Sequence, residues 1–372
     1  TGTTETITVT AGFTNALTVD FDADTNPNKV VATAYTGVLT VTAADDDIDG
    51  GASTITGGTG TSDELKVTTT AGLDVIVTTG ITNVEKITTV GKLGGISMTT
   101  ADGLIASGKN LAVDLTSGDD DANTINAAAE TNGTITITAD ATGAHIITLG
   151  RGNDSYTHTG ATGISTVVGT RGNNIITTGG GADIITLGTG TDTVNSGAGN
   201  DIIISTGPSV ALGVTTARNF TSADVIDGGA GTGAGDTLQL TTDGMTLVDT
   251  DFTNVSNVEV LTTSATTQMT SATLGAEAMG AGFTTVTLND AGAADTYVVT
   301  AAFTNALTFN LDNDTTANSI DASASAAVIT IEAGAGTLDA TGSTLKGGTG
   351  ATDELKITGT NTVTAATSAN WS

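Results

Sequence analysis

Short runs in which aliphatic and small polar residues alternate recur along the chain, as in LTVDF at 17–21 and LTFNL at 307–311. Successive side chains of a β-strand point to opposite faces, so this alternation predicts strands with one buried face. Turn signals separate these runs at intervals of about eight to twelve residues. Sustained helical periodicity with proper caps is absent, although the segment 271–280 is compatible with a short helix. The pattern predicts an all-β protein.

One nine-residue pattern is repeated four times without a gap between Gly169 and Ile204. The copies read GTRGNNIIT, TGGGADIIT, LGTGTDTVN and SGAGNDIII; LGRGNDSYT at 149–157 and an eroded DATGAHIIT at 140–148 are further copies. Each contiguous copy carries an aliphatic residue at its eighth place, and we predict that these residues share one buried face: Ile176, Ile185, Val194 and Ile203. A glycine-rich linker is the alternative interpretation, but a linker does not keep an aliphatic residue in register.

Each copy is predicted to form half a coil of a parallel β-roll or β-helix, a solenoid whose edges recur every eighteen residues. Asp154 lies twenty residues before Asn174, so we expect a looser coil there. Glycine lets the backbone turn sharply and direct its carbonyls inward. The acid at the sixth place adds a carboxylate, so each turn offers the hard oxygen ligands that Ca²⁺ prefers. His145 fills the acid place of its copy, which makes that turn a doubtful calcium site.

Composition favours a thin, stacked core over a thick globular one. The chain of 372 residues contains 50 Gly, only 3% aromatic residues and no Cys. Small β-branched residues suit a solenoid in which each coil is buried against the next. A hydrophobic content of 38% argues against disorder. The lack of Cys excludes disulfides and thiolate metal sites, and no apolar run approaches the ~20 residues of a membrane helix.

The net charge of −30 comes from 40 acids and 10 bases, and only eight of the acids are Glu. Most Asp residues fall in Gly- or Asn-rich turns, whereas a halophilic surface would spread Asp and Glu over exposed positions. We therefore expect divalent cations to offset the self-repulsion of the folded chain. Nucleic acids and anionic membranes are disfavoured partners.

A longer repeat divides the chain. Residues Thr10–Thr68 align without a gap to Thr300–Thr358, and a weaker relative begins at Asn110. A GG-x-G turn is followed by a predicted Asn-Val-Glu strand at 81–89 and again at 255–263. Stacked β-coils are the favoured architecture, with sandwich-like parts as an alternative. We predict modules at 1–106, 107–227 (with a nonapeptide core at 140–204) and 228–372.

Acids outside the array form further candidate cation sites. Asp224, Asp227 and Asp236 bracket a GGAGTGAG stretch that looks like a longer version of the nonapeptide turn. Acids at every second place after an alternating strand would share one face of an extended segment, and a solvated loop is the alternative: Asp22, Asp24, Asp312 and Asp314. Asp63 and Asp353 occupy the matching place in the GGTG turns, but an extra residue before the acid puts their binding capacity in doubt.

Sequence motifs of enzymes are missing: the chain has no H-E-x-x-H, G-x-S-x-G or Walker sequence. Parallel β-helices can host polysaccharide-cleaving acid pairs, so such an enzyme is the third interpretation of function. It is disfavoured because the chain has 1 Trp and 3 Tyr, whereas grooves that bind sugars are usually aromatic. We expect a protein that is not an enzyme.

The Gly/Thr/Ala-rich strands, the nonapeptide turns and the GG-x-G…NVE phrase together resemble bacterial RTX-type surface-layer proteins. The resemblance implies type I secretion, calcium-triggered folding outside the cell, and self-assembly into a lattice or filament on the bacterial surface, with cell-surface polysaccharide as a further candidate partner. Large RTX adhesins have similar phrases, so a calcium-rigidified adhesin stalk is the alternative. Carried over to this sequence, the resemblance implies these calcium ligands and turn glycines: Asp154, Asp183, Asp192, Asp201, the divergent Asn174, Gly181, Gly190 and Gly199.

Overall fold

The protein is all-β, and its parallel strands stack into a β-solenoid. The computed structural model describes residues 4–21, 26–48, 53–68, 74–90, 95–116, 122–139, 142–158, 160–206, 219–231, 235–241, 245–264, 269–289, 294–314, 316–334, 343–350 and 352–358. The chain divides into two compact units, 1–190 and 191–372. Within each unit, consecutive strands alternate between sheets and return to a given sheet one coil later.

Unit 1 contains strands of three parallel sheets. The first sheet consists of Glu5–Thr8, Asn28–Val31, Thr54–Thr56 and Ile81–Thr82. The second consists of Leu17–Asp20, Leu39–Ala44, Glu64–Thr68, Lys86–Val90, Asn110–Leu115, Thr134–Ala139, Ser155–His158 and Ile175–Thr177. The third consists of Asp74–Val77, Ile96–Thr99, Thr124–Asn126, His145–Thr148, Ser165–Val168 and Ile184–Thr186. One short helix, Asp45–Ile48, follows a strand of the second sheet.

Unit 2 is built in the same way. One sheet contains Ile202–Ser205, Thr237–Leu240, Val260–Thr263, Thr285–Thr287, Leu307–Asn310, Ile329–Gly334 and Glu354–Thr358. Another contains Met245–Leu247, Met269–Leu274, Thr296–Val299, Ser319–Asp321 and Thr344–Lys346. Shorter strands pair at Thr193–Asn195, Val225–Asp227 and Val255–Ser256, and at Ala198–Gly199 with Ala230–Gly231. The helical segments in the described part of this unit are Asp249–Phe252 and Ala276–Ala281.

The strand register agrees with the coil lengths that the sequence predicts. Val167 lies level with Ile185, eighteen residues later, and Tyr156 lies level with Ile176 across the looser coil of twenty residues. The aliphatic residues of the four contiguous copies are 0–1% exposed, which confirms the predicted buried face: Ile176, Ile185, Val194 and Ile203. The core is therefore a stack of inward-facing side chains, one layer per coil.

Two local predictions differ from the structure. The Asn-Val-Glu segments are turns and not continuous strands, because Asn83 and Asn257 adopt positive φ angles of 56° and 54° and interrupt the strands on either side. The helix predicted at 271–280 forms only at Ala276–Ala281, while Met269–Leu274 is a strand. The sandwich alternative is not supported, because the strands that neighbour one another in unit 1 and in unit 2 pair in parallel and not as hairpins.

Candidate calcium-binding turns

The turns of the nonapeptide array stack on one another through their glycines. Gly172, Gly181 and Gly190 have positive φ angles of 86°, 121° and 138°, which residues with a Cβ rarely adopt. A Cβ on Gly172 would lie 2.0 Å from the carbonyl oxygen of Gly152, and one on Gly190 would lie 2.2 Å from that of Gly172. The turn of each coil therefore places carbonyl oxygens directly against the backbone of the next turn. In unit 2, the array glycine Gly199 also has a positive φ, of 150°.

A second regular feature is formed by the residue directly before a strand. Its side-chain oxygen accepts a hydrogen bond from the backbone N–H of the level residue in the preceding coil, at 2.5–3.1 Å. We call these residues pre-strand acceptors: Ser53, Asp63, Glu85, Asn123, Asp154, Asn174, Asp183, Asp224, Asp236, Glu259, Asn318 and Asp353. One oxygen of each predicted calcium ligand in this set is thus already used to join two coils.

The second carboxylate oxygen distinguishes two kinds of turn. Asp154 Oδ2 and Asp236 Oδ2 are buried, and neither completes a hydrogen bond with another described residue, although the Gly150 N–H lies near enough to lower the pKa of Asp154. They lie 3.4 Å and 3.2 Å from the positions that a Cβ on Gly150 and on Gly231 would take, so each oxygen faces a glycine turn. A buried oxygen of this kind is costly unless another group satisfies it, and a cation held by the turn would do so.

Other carboxylates use both oxygens within the protein. Asp63 accepts N–H bonds from Leu39 at 2.9 Å and Gly58 at 2.5 Å. Asp353 repeats this geometry, with Ile329 N at 2.9 Å and Gly348 N at 2.6 Å. The backbone alone can therefore satisfy the carboxylates of the two GGTG turns. Asp224 is similar, because it accepts from Asp192 N and Thr221 N, both at 2.7 Å.

Electrostatics follow from burial. Burial raises the pKa of Asp154, Asp183 and Asp224 above the usual value of 3.8, although backbone N–H groups partly offset it. The pKa of Asp236 rises to about 6, first because of burial and then because Asp201, Glu259 and Asp227 add negative charge nearby. The ionised forms are therefore disfavoured here unless positive charge is supplied.

Asn174 shows what happens when the acid is replaced by an amide. Its Oδ1 accepts the Asp154 N–H at 3.1 Å, as an aspartate would. Its Nδ2 group donates to the carbonyl oxygens of Arg171 and Gly172, both at 3.4 Å. The amide N–H thus faces the same turn carbonyls that a cation would contact.

The remaining array acids are placed as the repeat requires. Asp183, Asp192 and Asp201 are fully buried, each directly before a strand. Asp183 accepts the Ser165 N–H at 2.5 Å, while the N–H of Asp201 donates to Asp236 Oδ1 at 2.7 Å. In the stretched turn, Asp227 Oδ1 accepts from Gly229 N at 3.0 Å and from Asn257 Nδ2 at 2.7 Å.

Two further pairs and a histidine complete the predicted set. Asp22 and Asp24 lie outside the described residues. Asp312 is exposed and Asp314 is buried, so these two carboxylates do not share a face. Asp314 accepts hydrogen bonds from Thr316 N at 2.7 Å and from Asn318 Nδ2 at 2.6 Å. The protein therefore satisfies the buried carboxylate of Asp314 without a cation. His145 is buried against the ring of His158, with centroids 4.9 Å apart.

The donor set suits calcium if the backbone provides most of the ligands. Within the described residues, no three His, Asp or Glu side chains converge on a point that could hold a metal. Turn carbonyls and turn carboxylates are the hard oxygen ligands that Ca²⁺ prefers. In the same part of the chain, no helix is long and apolar enough to cross a membrane.

The sequence analysis did not identify several of the pre-strand acceptors. Glu85, Asn123, Glu259 and Asn318 are pre-strand acceptors but carry no nonapeptide signature. Their common signal is a polar residue with a side-chain oxygen directly before an alternating strand. That signal becomes readable only when the coil register is known.

Comparison with known families bears on the array. Residues 159–194 and 168–203 match the RTX calcium-binding nonapeptide repeat in four copies, and repeats of this family bind calcium. No curated protein and no solved structure matches the chain. The predicted nonapeptide array and its calcium cofactor are therefore confirmed at the level of the repeat family.

Proposed function

We propose that this RTX-repeat solenoid is a structural subunit of a bacterial surface layer, which calcium folds outside the cell and which assembles with copies of itself into a lattice or filament. The observation that carries the proposal is the set of buried turn carboxylates, of which Asp154 and Asp236 each direct one oxygen at a glycine turn. Asp183, Asp192 and Asp201 occupy the same place in the matched array.

Charge supports calcium as the folding signal. A net charge of −30 opposes compaction, and burying the turn carboxylates adds to that cost. Because Ca²⁺ binds the stacked turns and not the separated ones, it stabilises the folded chain by mass action. A secreted protein gains from this arrangement, since calcium is scarce in the cytosol and abundant outside.

Self-association is the favoured partnership, because a strand edge of a parallel solenoid that is left uncovered pairs readily with another chain. An adhesin stalk would use the same calcium chemistry but would rigidify as a monomer. The turn carboxylates give no support to a catalytic role, since Asp154, Asp183 and Asp236 accept backbone N–H groups of the neighbouring coil.

The test is a calcium titration of EGTA-treated protein, followed on the same samples by circular dichroism and negative-stain electron microscopy. A large gain in β signal together with ordered sheets or filaments is expected. Calcium-dependent folding that yields only monomers would favour the adhesin stalk. Full β structure in EGTA would refute the role of the carboxylates. The Asp154→Asn/Asp183→Asn/Asp236→Asn variant tests the turn carboxylates directly, because it keeps side-chain size and removes three charges.

A further inference from the structure

Two turns of the chain are built from the same parts. The first GG turn, residues 57–63, lies in unit 1 and is followed one coil later by the Asn-Val-Glu turn 83–85. The second GG turn is described at residues 228–231 and 235–236 of unit 2 and is followed by the Asn-Val-Glu turn 257–259. In both, the glutamate accepts the N–H of the turn aspartate: Asp63 N to Glu85 Oε2 at 3.0 Å and Asp236 N to Glu259 Oε2 at 2.8 Å.

The first GG turn is surrounded by protein N–H donors. Both Asp63 oxygens accept backbone N–H groups, and the Asn83 amide donates to the carbonyl oxygen of Gly58. The Lys109 ammonium donates to the carbonyl oxygen of Gly60 at 3.1 Å. Lys109 thus brings a positive charge to the glycine turn from a loop that is 49 residues further along the chain.

The same ammonium also acts on the acid beside the turn. Lys109 and Glu85 line one groove of about 400 Å³ together with Thr61 and Ser62. Burial raises the pKa of Glu85, and the charge of Lys109 works in the opposite direction. The ammonium that is bonded to the turn carbonyl thus lies in the same groove as the neighbouring carboxylate, without a direct ion pair between them.

The second GG turn has no such arrangement. The segment that corresponds to the Lys109 loop reads Gly280-Ala281-Gly282-Phe283 and has no basic residue. The Asn257 amide donates to Asp227 Oδ1 and not to a turn carbonyl. Asp236 Oδ2 has no partner among the described residues, and the charged groups that act on it are acids. Among the described residues, no side chain brings this turn the positive charge that Lys109 brings to the first one.

We propose that Lys109 takes the place of calcium at the first GG turn, so that this turn forms without calcium, whereas the strand Thr237–Leu240 after the second GG turn is stably formed only when calcium is bound. Lys109 is a positioning residue here, because its ammonium holds the Gly60 carbonyl of the turn. The statement about the second turn rests on the proposed function; the statement about Lys109 does not.

The test is hydrogen–deuterium exchange on the full chain in EGTA and in calcium, with the protection of residues 57–63 and of the strand Thr237–Leu240 as readouts. Lys109→Met removes the charge, and Lys109→Arg keeps it. Lys86→Met is the matched control, because Lys86 lines the same groove but pairs with Glu64 at 3.2 Å.

In the wild type, 57–63 should be protected equally in EGTA and calcium, while 237–240 should gain at least tenfold protection in calcium. Lys109→Met should lose protection at 57–63 in EGTA and regain it in calcium; Lys109→Arg and Lys86→Met should behave as wild type. Calcium dependence of 57–63 in the wild type, or unchanged protection in Lys109→Met, would overturn the proposal for Lys109. Equal protection of the strand 237–240 in EGTA and in calcium would refute the calcium role of the second turn. The comparison of Lys109→Met with the wild type at 57–63 would still test the proposal for Lys109.

Discussion

At the scale of single residues, a buried turn oxygen or nitrogen decides whether a coil edge attracts or repels a cation. Asn174 is the clearest case, because its Nδ2 group faces two turn carbonyls at 3.4 Å. An aspartate in its place would keep the Oδ1 bond to Asp154 N but would direct an anionic oxygen at those carbonyls. The same position should therefore change from calcium-indifferent to calcium-requiring.

We predict that Asn174→Asp destabilises the strand Ile175–Thr177 by about 1–3 kcal/mol at low calcium, since a buried acceptor is left against carbonyl oxygens. In millimolar calcium the loss should disappear, because the new carboxylate completes a turn site. Hydrogen exchange of 175–177 across a calcium series measures both effects. Asn173→Asp adds the same charge on an exposed neighbour and should have little effect; equal losses at every calcium concentration would contradict the prediction.

Asp236 predicts a pH dependence with a definite sign. Its folded pKa of about 6 exceeds the ordinary 3.8, so protonation favours the calcium-free fold. That contribution is complete below about pH 4 and is lost as the pH rises through 6. Calcium needs the ionised carboxylate, so its apparent affinity at this turn should weaken about tenfold per pH unit below 6.

Calcium titrations monitored by the protection of Thr237–Leu240 at pH 5, 6 and 7 measure this coupling. Asp236→Asn should remove both the pH dependence and the calcium response of this strand. An affinity that is equal at all three pH values would show that no protonated carboxylate competes with calcium at this turn.

At the scale of elements, glycine turns and strands have different requirements. We predict that Gly172→Ala destabilises the protein by at least about 1–3 kcal/mol, even in saturating calcium, because its φ of 86° disfavours a Cβ. The clash with Gly152 O at 2.0 Å adds to that cost. Urea denaturation in calcium measures the difference.

Gly12→Ala provides the control for this substitution, since nothing lies within 4 Å of a Cβ added there. Its effect should stay within about 0.5 kcal/mol. If Gly172→Ala changed the free energy of unfolding as little as Gly12→Ala, the close stacking of turns through their carbonyl oxygens would be wrong.

The sequence predicts strands and turn glycines well because both are local. Alternation fixes which face of a strand is buried, and the array copies repeat without gaps, so Ile176 and Ile185 could be placed in the core. The Asn-Val-Glu segments were predicted as strands because the positive φ of Asn83 and Asn257 has no apolar signature. The hydrogen-bond ladder could not be predicted, because its partners lie 18 to 35 residues apart with insertions of varying length.

At the scale of the whole molecule, the repulsion between excess negative charges opposes the burial of a stacked, mainly aliphatic core. Sequence alone indicates this balance, since charge and composition need no coordinates. What the sequence could not separate is surface charge from buried charge. Asp154, Asp183 and Asp201 are 0–1% exposed, whereas Asp20 and Asp312 are exposed. Salt screens the exposed carboxylates more effectively than the buried ones.

This difference leads to a prediction about ions. Sodium chloride at 1 M shortens the Debye length to about 3 Å and screens exposed carboxylates, but it cannot neutralise buried ones. Magnesium holds its water tightly and demands octahedral geometry, which carbonyl-rich turns do not offer. We therefore expect millimolar calcium to produce the full β signal in circular dichroism, the same concentration of magnesium to produce little, and 1 M sodium chloride in EGTA to produce only part. Equal effects of calcium and magnesium would mean that the cations act by screening and not by binding in the turns.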